Sequence, residues 1–160
     1  MVKYLNYAVT FEEVPDEITL SINITNCQNR CEGCHSPELR CDIGVELTKE
    51  ELDRLIEEND GITCVCLMGE GNDYAGIQAL GDHLKHSHPE LKRAIYYGRD
   101  KLDINYGAIF HYVKFGHYDK DCGPLNVETT NQRMYEFNHD RNINPDWNFR
   151  DITYKFWKRK

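Results

Sequence analysis

Residues 62–98 read ITCVCLMGEGNDYAGIQALGDHLKHSHPELKRAIYYG. Ile62 to Met68 is a short apolar run stopped by Gly69-Glu70-Gly71-Asn72-Asp73, the pattern of a buried strand ending in a glycine loop. From about Tyr74 to His86, Ile77, Leu80 and Leu84 fall on one side at helical spacing, with Asp73 placed to cap the helix and Pro89 to close the connection. Ala94 to Tyr97 is again strand-like and again ends at a glycine, Gly98. Working outward, Thr48 and Glu51 have the spacing of a capping box, and Leu52, Leu55 and Ile56 follow as an apolar stripe, which predicts a helix from about Thr48 to Glu58. Before it, Ile18, Leu20, Ile22 and Ile24 alternate with Thr19, Ser21 and Asn23, the period of a strand. After it, Tyr112 to Phe115 repeats the strand pattern ahead of Gly116. Strand, helix, strand, helix, strand predicts an α/β chain with a mostly parallel sheet, right-handed crossovers and helices over its faces. The stretch from Asp119 to Asn148 is polar and irregular, and Asp151 to Trp157 reads as a last strand or short helix.

At 160 residues and 18.8 kDa the chain suits one domain, 1–160, with a single core. A formal charge of −8 disfavours nucleic acid and anionic membrane surfaces as partners. The basic tail of Lys155, Lys158, Arg159 and Lys160 reads as a solvated end. No apolar run long enough to span a bilayer is present, and the first residues lack the core of a secretion signal, so a cytoplasmic location is expected. In a reducing compartment, seven cysteines with three close together point to metal binding or catalysis rather than disulfides.

Those three are Cys27, Cys31 and Cys34, in Cys27-Gln-Asn-Arg-Cys31-Glu-Gly-Cys34, directly after the first predicted strand. A tight loop lets three thiolates face one centre, as an iron–sulfur cubane needs. Three protein ligands for four irons leave one iron open, and an amino-acid headgroup could chelate it through amine and carboxylate. Zinc is the alternative, with His35 or Cys41 as a fourth ligand, although structural zinc sites usually draw two pairs of ligands from two turns. Unligated thiols are a further one. Cys64 and Cys66 share a strand face and read as small core hydrophobes, and Cys41 and Cys122 as non-ligands. His83, His86 and His88 near a helix end read as solvated surface residues. Tyr96, Tyr97 and Tyr106 read as packing.

The C-x3-C-x2-C spacing resembles the radical S-adenosylmethionine superfamily. The longer string from Cys27 to Pro37, CQNRCEGCHSP, is similar to the activating proteins of anaerobic ribonucleotide reductase. Leu67-Met68-Gly69-Glu70-Gly71 falls where that family carries a glycine-rich strand end, and Thr129-Thr130-Asn131-Gln132-Arg133 resembles its late Asn-Gln-Arg segment. The resemblance implies a single-domain partial (βα) barrel holding a [4Fe-4S] cluster on Cys27, Cys31 and Cys34. It implies an oxidoreductase that cleaves S-adenosyl-L-methionine to methionine and a 5′-deoxyadenosyl radical, which installs a glycyl radical on anaerobic ribonucleoside-triphosphate reductase. The implied electron donor is a low-potential protein such as flavodoxin. Gly33, Cys34 and His35 are then expected along the adenine side of the cofactor. Gly69, Glu70 and Gly71 are expected at its methionine amine, and Asn131 and Arg133 at the cofactor or the late loop. The family's strand end carries two adjacent glycines and then an acid, whereas this chain has Gly-Glu-Gly. An activase for another glycyl-radical enzyme is the nearest alternative, though no second cysteine cluster is present. A non-catalytic zinc-bound interaction module is the alternative from another class.

Overall fold

The structure, a computed structural model, describes residues 1–139 and 148–157. The tail residues Lys158, Arg159 and Lys160 and part of the polar 119–148 stretch lie outside the described residues. In chain order the elements are β1 (Lys3–Thr10), β2 (Thr19–Ile24), β3 (Val45–Glu46), α1 (Lys49–Glu58), β4 (Cys64–Met68), α2 (Tyr74–Ser87), β5 (Lys92–Tyr96), α3 (Ile104–Ile109), β6 (Tyr112–Phe115), β7 (Arg133–Phe137) and β8 (Phe149–Asp151). Thr153–Phe156 adds a 3-10 turn. No helix among the described residues is long and apolar enough to cross a membrane.

Helix starts follow the local chemistry. Thr48 caps α1, its hydroxyl accepting from the Glu51 amide at 3.0 Å, and Glu51 then turns its carboxylate to the Tyr4 hydroxyl and to Arg54. Asp73 caps α2 by accepting from the Gly76 amide at 2.9 Å. Both satisfy amides that have no partner within the helix.

One sheet of eight strands runs through the described chain in the order β3-β1-β2-β4-β5-β6-β7-β8. The expected mostly parallel partial barrel is not what forms. β2, β4, β5 and β6 pair in parallel, but β1 with β2, β1 with β3, β6 with β7 and β7 with β8 are antiparallel, four pairings against three. The order runs from β3 to β8 without closing. A short connection explains the reversal between β1 and β2. Residues 11–18 join β1 to β2, too few for the helical crossover that a parallel neighbour needs.

Coverage departs from expectation as well, because the helices all pack on one face. There Leu52, Leu55, Ile77, Leu80, Leu84, Tyr106 and Phe110 meet Ile22, Leu67, Ile95 and Val113. The second face carries Cys64, Cys66, Ala94, Tyr112 and Met134, covered among the described residues by Val14 of the β1–β2 connection and by Ile152 and Phe156. A sheet with one helix-free face can leave room for a cleft on it.

Candidate functional site

The cysteine loop begins where β2 ends. Asn26, between Thr25 and Cys27, has φ +63°, a left-handed conformation that asparagine tolerates better than most residues. It turns the chain sharply off the sheet, and the Gln28 side chain bonds its carbonyl at 2.8 Å. The loop is then laced to the turn at Pro37–Arg40, since the Cys27 amide donates to the Leu39 carbonyl at 2.9 Å and the Asn26 amide to that of Cys41 at 3.0 Å. Cys31 to Cys34 is a reverse turn closed by the Cys34 amide on the Cys31 carbonyl at 3.3 Å. Its third residue, Gly33, has φ +75°, which a side chain at that position would resist. The loop lies directly over the end of β5, so close that a Cβ on Gly98 would sit 1.9 Å from Asn29 Nδ2.

Burial pushes the Cys27 thiol up. A backbone hydrogen bond at Asn29 opposes this, the neighbouring Cys31 and Cys34 sulfurs add to it, and Arg40 pulls the other way. The three thiols therefore feel one another. They are not closed about a single ion, however. Among the described residues, the one set of three histidine, cysteine or carboxylate ligand atoms within 4.8 Å of one another is Asp53, His83 and His88. Tetrahedral zinc with bonds of roughly 2.3 Å to sulfur would draw its thiolates to about 3.8 Å apart, tighter than this loop holds them. A cubane seats each thiolate on a different iron and spreads them more widely. Arg40 adds a second indication. Its Nη2 donates to the Cys31 carbonyl at 2.6 Å, while its buried Nε has no partner among the described residues. A cation with a spare donor, held on the Cys31 backbone and felt by the Cys27 thiol, suits an occupant that carries negative charge. Three thiol donors and a nearby cation are the groups from which a cluster, if bound, would take its ligands and charge balance.

Cys34, His35 and Ser36 border a cleft of about 1560 Å³ on the helix-free face of the sheet. Its floor is Met68 from β4, Tyr96 from β5, Lys114 from β6 and Gln132 just before β7. Glu12 to Asp16 and Tyr154 to Trp157 stand at its sides, tied to each other by the Lys155–Asp16 ion pair at 2.8 Å. The Tyr96 hydroxyl donates to the Glu13 carbonyl and fixes the first of these walls. Lys114 is buried, donates to the Gly116 carbonyl at 3.1 Å and lies 5.5 Å from the Tyr96 ring centroid. Burial pulls its ammonium down to about 8, against the attraction of the Cys31 and Cys66 sulfurs. Across from the cysteine turn, Tyr118 meets His35 edge to face at 5.1 Å and Lys120 pairs with Glu32 at 2.6 Å.

The other expected residues are not all gathered here. Gly69 and Gly71 have φ +124° and +57° and lie against Ile24 and the Thr25 carbonyl, beside the root of the cysteine loop. Neither borders the cleft. The Glu70 side chain is buried, held by Arg99 at 2.6 and 3.1 Å and by the Tyr106 hydroxyl at 2.8 Å, so only backbone of this loop is free for a ligand. Asn131 donates to the His117 carbonyl at 3.0 Å and leaves its buried Oδ1 without a partner among the described residues. Arg133 is neither at the cleft nor near the cysteines. Strand alternation puts it with Tyr135 on the face opposite Met134, 3.8 Å from Asp151.

Cys64 and Cys66 are fully buried in the second core cluster, and Cys41 and Cys122 lie outside the cysteine turn. Tyr97 and Tyr106 pack in the first cluster, while Tyr96 belongs to the cleft floor. His83 and His88 are not solvated as expected but half-buried on Asp53, whereas His86 is exposed. Lys114 and Gln132 each carry a sequence signal, a lysine inside an apolar strand and the central amide of the Asn-Gln-Arg segment. Comparison of the chain with protein-family models, curated proteins and solved structures finds no match.

Proposed function

We propose that the chain is a radical S-adenosylmethionine activase that installs a glycyl radical on a partner enzyme, anaerobic ribonucleoside-triphosphate reductase, using electrons from a low-potential donor such as flavodoxin. One observation supports this reading: the C-x3-C-x2-C loop leaves the carboxyl end of β2, beside its parallel neighbour β4, and its last thiol, Cys34, borders a large cleft. Ligands of open α/β sheets gather at such strand ends. Cys27, Cys31 and Cys34 would hold a [4Fe-4S] cluster, which when bound supplies the electron that breaks the sulfonium carbon–sulfur bond of S-adenosylmethionine. The chain's own residues provide the rest. Arg40 balances the charge of the thiolates, the backbone of Gly69 to Gly71 is open to close approach, and Lys114 brings a cation to a largely uncharged floor.

The volume of the cleft favours a macromolecular substrate. About 1560 Å³ exceeds the roughly 300–1,000 Å³ usual for a small molecule alone and leaves room for a peptide loop beside the cosubstrate. Tyr96, Tyr118, Phe156 and Trp157 give it the aromatic lining common at protein interfaces. The reading rests on the loop, the cleft and the motif, not on a shared barrel.

Anaerobic reconstitution with iron and sulfide tests it. A brown protein that cleaves S-adenosylmethionine on reduction is expected, bleached by air, and Cys31→Ala should lose both colour and cleavage because two thiolates cannot hold the cubane. Colourless zinc-loaded protein without cleavage, or unchanged cleavage in Cys31→Ala, would reject the assignment. Glycyl-radical formation on candidate partners, read by electron paramagnetic resonance, separates the reductase from other glycyl-radical enzymes.

A further inference from the structure

On the helix-covered side of the sheet, away from the cleft, α1 and the end of α2 bring three potential ligands to one point. Leu52 and Leu55 of α1 and Leu80 and Leu84 of α2 face the core, and this leaves Asp53 and His83 on the facing flanks of the two helices. His88, at the end of α2, folds back beside them. Asp53 Oδ1 lies 2.7 Å from His83 Nε2 and 2.7 Å from His88 Nε2. The three ligand atoms lie within 4.8 Å of one another. The rings stand edge to face with centroids 6.1 Å apart.

A plain polar staple, two imidazoles donating to one carboxylate, would also bring these atoms together. What goes beyond it is the placement of the outer nitrogens. His83 Nδ1 lies 3.4 Å from Ser87 Oγ, and His88 Nδ1 lies 3.9 Å from Glu90 Oε1. In the metal-free chain each 2.7 Å contact is an Nε2–H donating to Asp53 Oδ1, so both inner nitrogens already face one carboxylate oxygen. A divalent cation entering between them would displace those two protons and take up the freed Nε2 lone pairs together with the carboxylate. Ser87 Oγ then stands where the outer oxygen of a metal-binding imidazole usually does, placed to accept from His83 Nδ1–H.

We propose that Asp53, His83 and His88 bind a divalent transition cation of the zinc class and so clamp α1 to the end of α2. Two imidazoles and one carboxylate suit zinc, cobalt or nickel far better than magnesium or calcium, which prefer oxygen ligands. Bonds of about 2.0–2.1 Å in a tetrahedral set need ligand atoms roughly 3.3 Å apart. Each 2.7 Å contact then opens by about 0.6 Å, and Asp53, 44% exposed, is free to move. Water completes the set from the open side. The clamp does not depend on the radical reading, because none of its residues borders the cleft or the cysteine loop.

The test titrates the full chain with zinc and follows imidazole nitrogens by long-range proton–nitrogen correlation. His83 and His88 Nε2 should shift together with one zinc per chain beyond whatever the thiols take up, while His86 and His117 stay in place. After dialysis against micromolar zinc, Asp53→Asn and His88→Gln should each retain one zinc fewer than the wild type. Affinity at this site should fall by more than tenfold, the least that loss of a direct ligand should cost when outer-layer changes already cost about 10–100-fold. Unmoved His83 and His88 resonances at millimolar zinc would overturn the proposal, as would equal zinc content in folded variants. The wild-type spectrum decides the matter even if a variant fails to fold. The imidazole signals are blind to the cysteines, so failure here and failure of the cluster assignment are read separately.

Discussion

Replacing Arg99 with methionine removes the charge that faces a buried carboxylate while keeping most of the side-chain stem. Glu70 accepts from Arg99 Nε and Nη2 at 3.1 and 2.6 Å and from the Tyr106 hydroxyl at 2.8 Å. Its side chain is 8% exposed and that of Arg99 40%. Removing one partner of a buried pair costs about 3–5 kcal/mol because the other charge stays behind without compensation. Water reaches the Arg99 end, so the loss here should be smaller, about 2–3 kcal/mol. For a chain of this size that corresponds to a fall in Tm of roughly 4–12 °C, at about 2–4 °C per kcal/mol. Glu70→Gln keeps an acceptor for Tyr106 and should cost about 1–2 kcal/mol. The double variant Arg99→Met/Glu70→Gln should be less damaged than the two losses added together, by about 1–2 kcal/mol, since nothing charged is then stranded. Urea unfolding of the four proteins closes the cycle. Losses that add to within about 0.5 kcal/mol would show that the two side chains act independently, and the account of how the Gly69–Gly71 loop is anchored would fall. If the anchor holds that loop for S-adenosylmethionine, Arg99→Met should also raise KM for it more than it lowers kcat.

Gly71→Ala should lower stability by about 2–3 kcal/mol, from a left-handed conformation worth about 1–2 kcal/mol and a Cβ placed 2.7 Å from the Thr25 carbonyl oxygen, where backbone must move; wild-type stability in urea would contradict this. His111 gives a pH dependence. Its Nδ1 accepts from the Arg93 amide at 3.1 Å, and burial, helped by Arg93, His139, Lys92 and Lys85, pulls the imidazole down to about 3. The folded value is the depressed one, so the unfolded chain binds the extra proton between about pH 6.5 and pH 3. Stability should hold above about pH 6.5 and fall as pH drops through that window, by roughly 2–3 kcal/mol after allowance for partial exposure. His111→Gln should flatten this part of the urea-midpoint profile, and an unchanged slope would assign it to other groups.

The centre of the molecule could be read from local pattern. α1 and α2 start at Thr48 and Asp73 because side-chain caps are a matter of a few adjacent residues, and β4, β5 and β6 announce themselves as apolar runs closed by glycine or followed closely by one. The flanks could not be read this way. β1, Lys3-Tyr-Leu-Asn-Tyr-Ala-Val-Thr, is mostly exposed past Tyr4 and shows little alternation. β7 buries only Met134 and Phe137 within a polar stretch, and its partners lie in β6 and β8. Such strands are made by pairing, which a window along the sequence does not see. The site divides in the same manner. Cys34 and His35 are neighbours in sequence and both border the cleft, while Tyr96, Lys114 and Gln132 come from distant parts of the chain and join them only through the sheet.

Lys114 links these two lessons. A parallel sheet sheathed by helices on both sides is built of strands that are apolar throughout, and a lysine in the middle of Tyr112-Val-Lys-Phe115 contradicts that design. With helices on one face only, β6 can instead alternate, Val113 inward to the helices and Tyr112 and Lys114 to the other side. The antiparallel flanks are what make this possible. β1 and β7 join the parallel strands without helical crossovers, so no helix is delivered to the second face, and the short segments at Val14 and Ile152 cover it only in part. The feature that removes the barrel therefore also opens the cleft, and it places a buried cation at the floor of that cleft, close enough to the cysteine loop for the Cys31 sulfur to be felt.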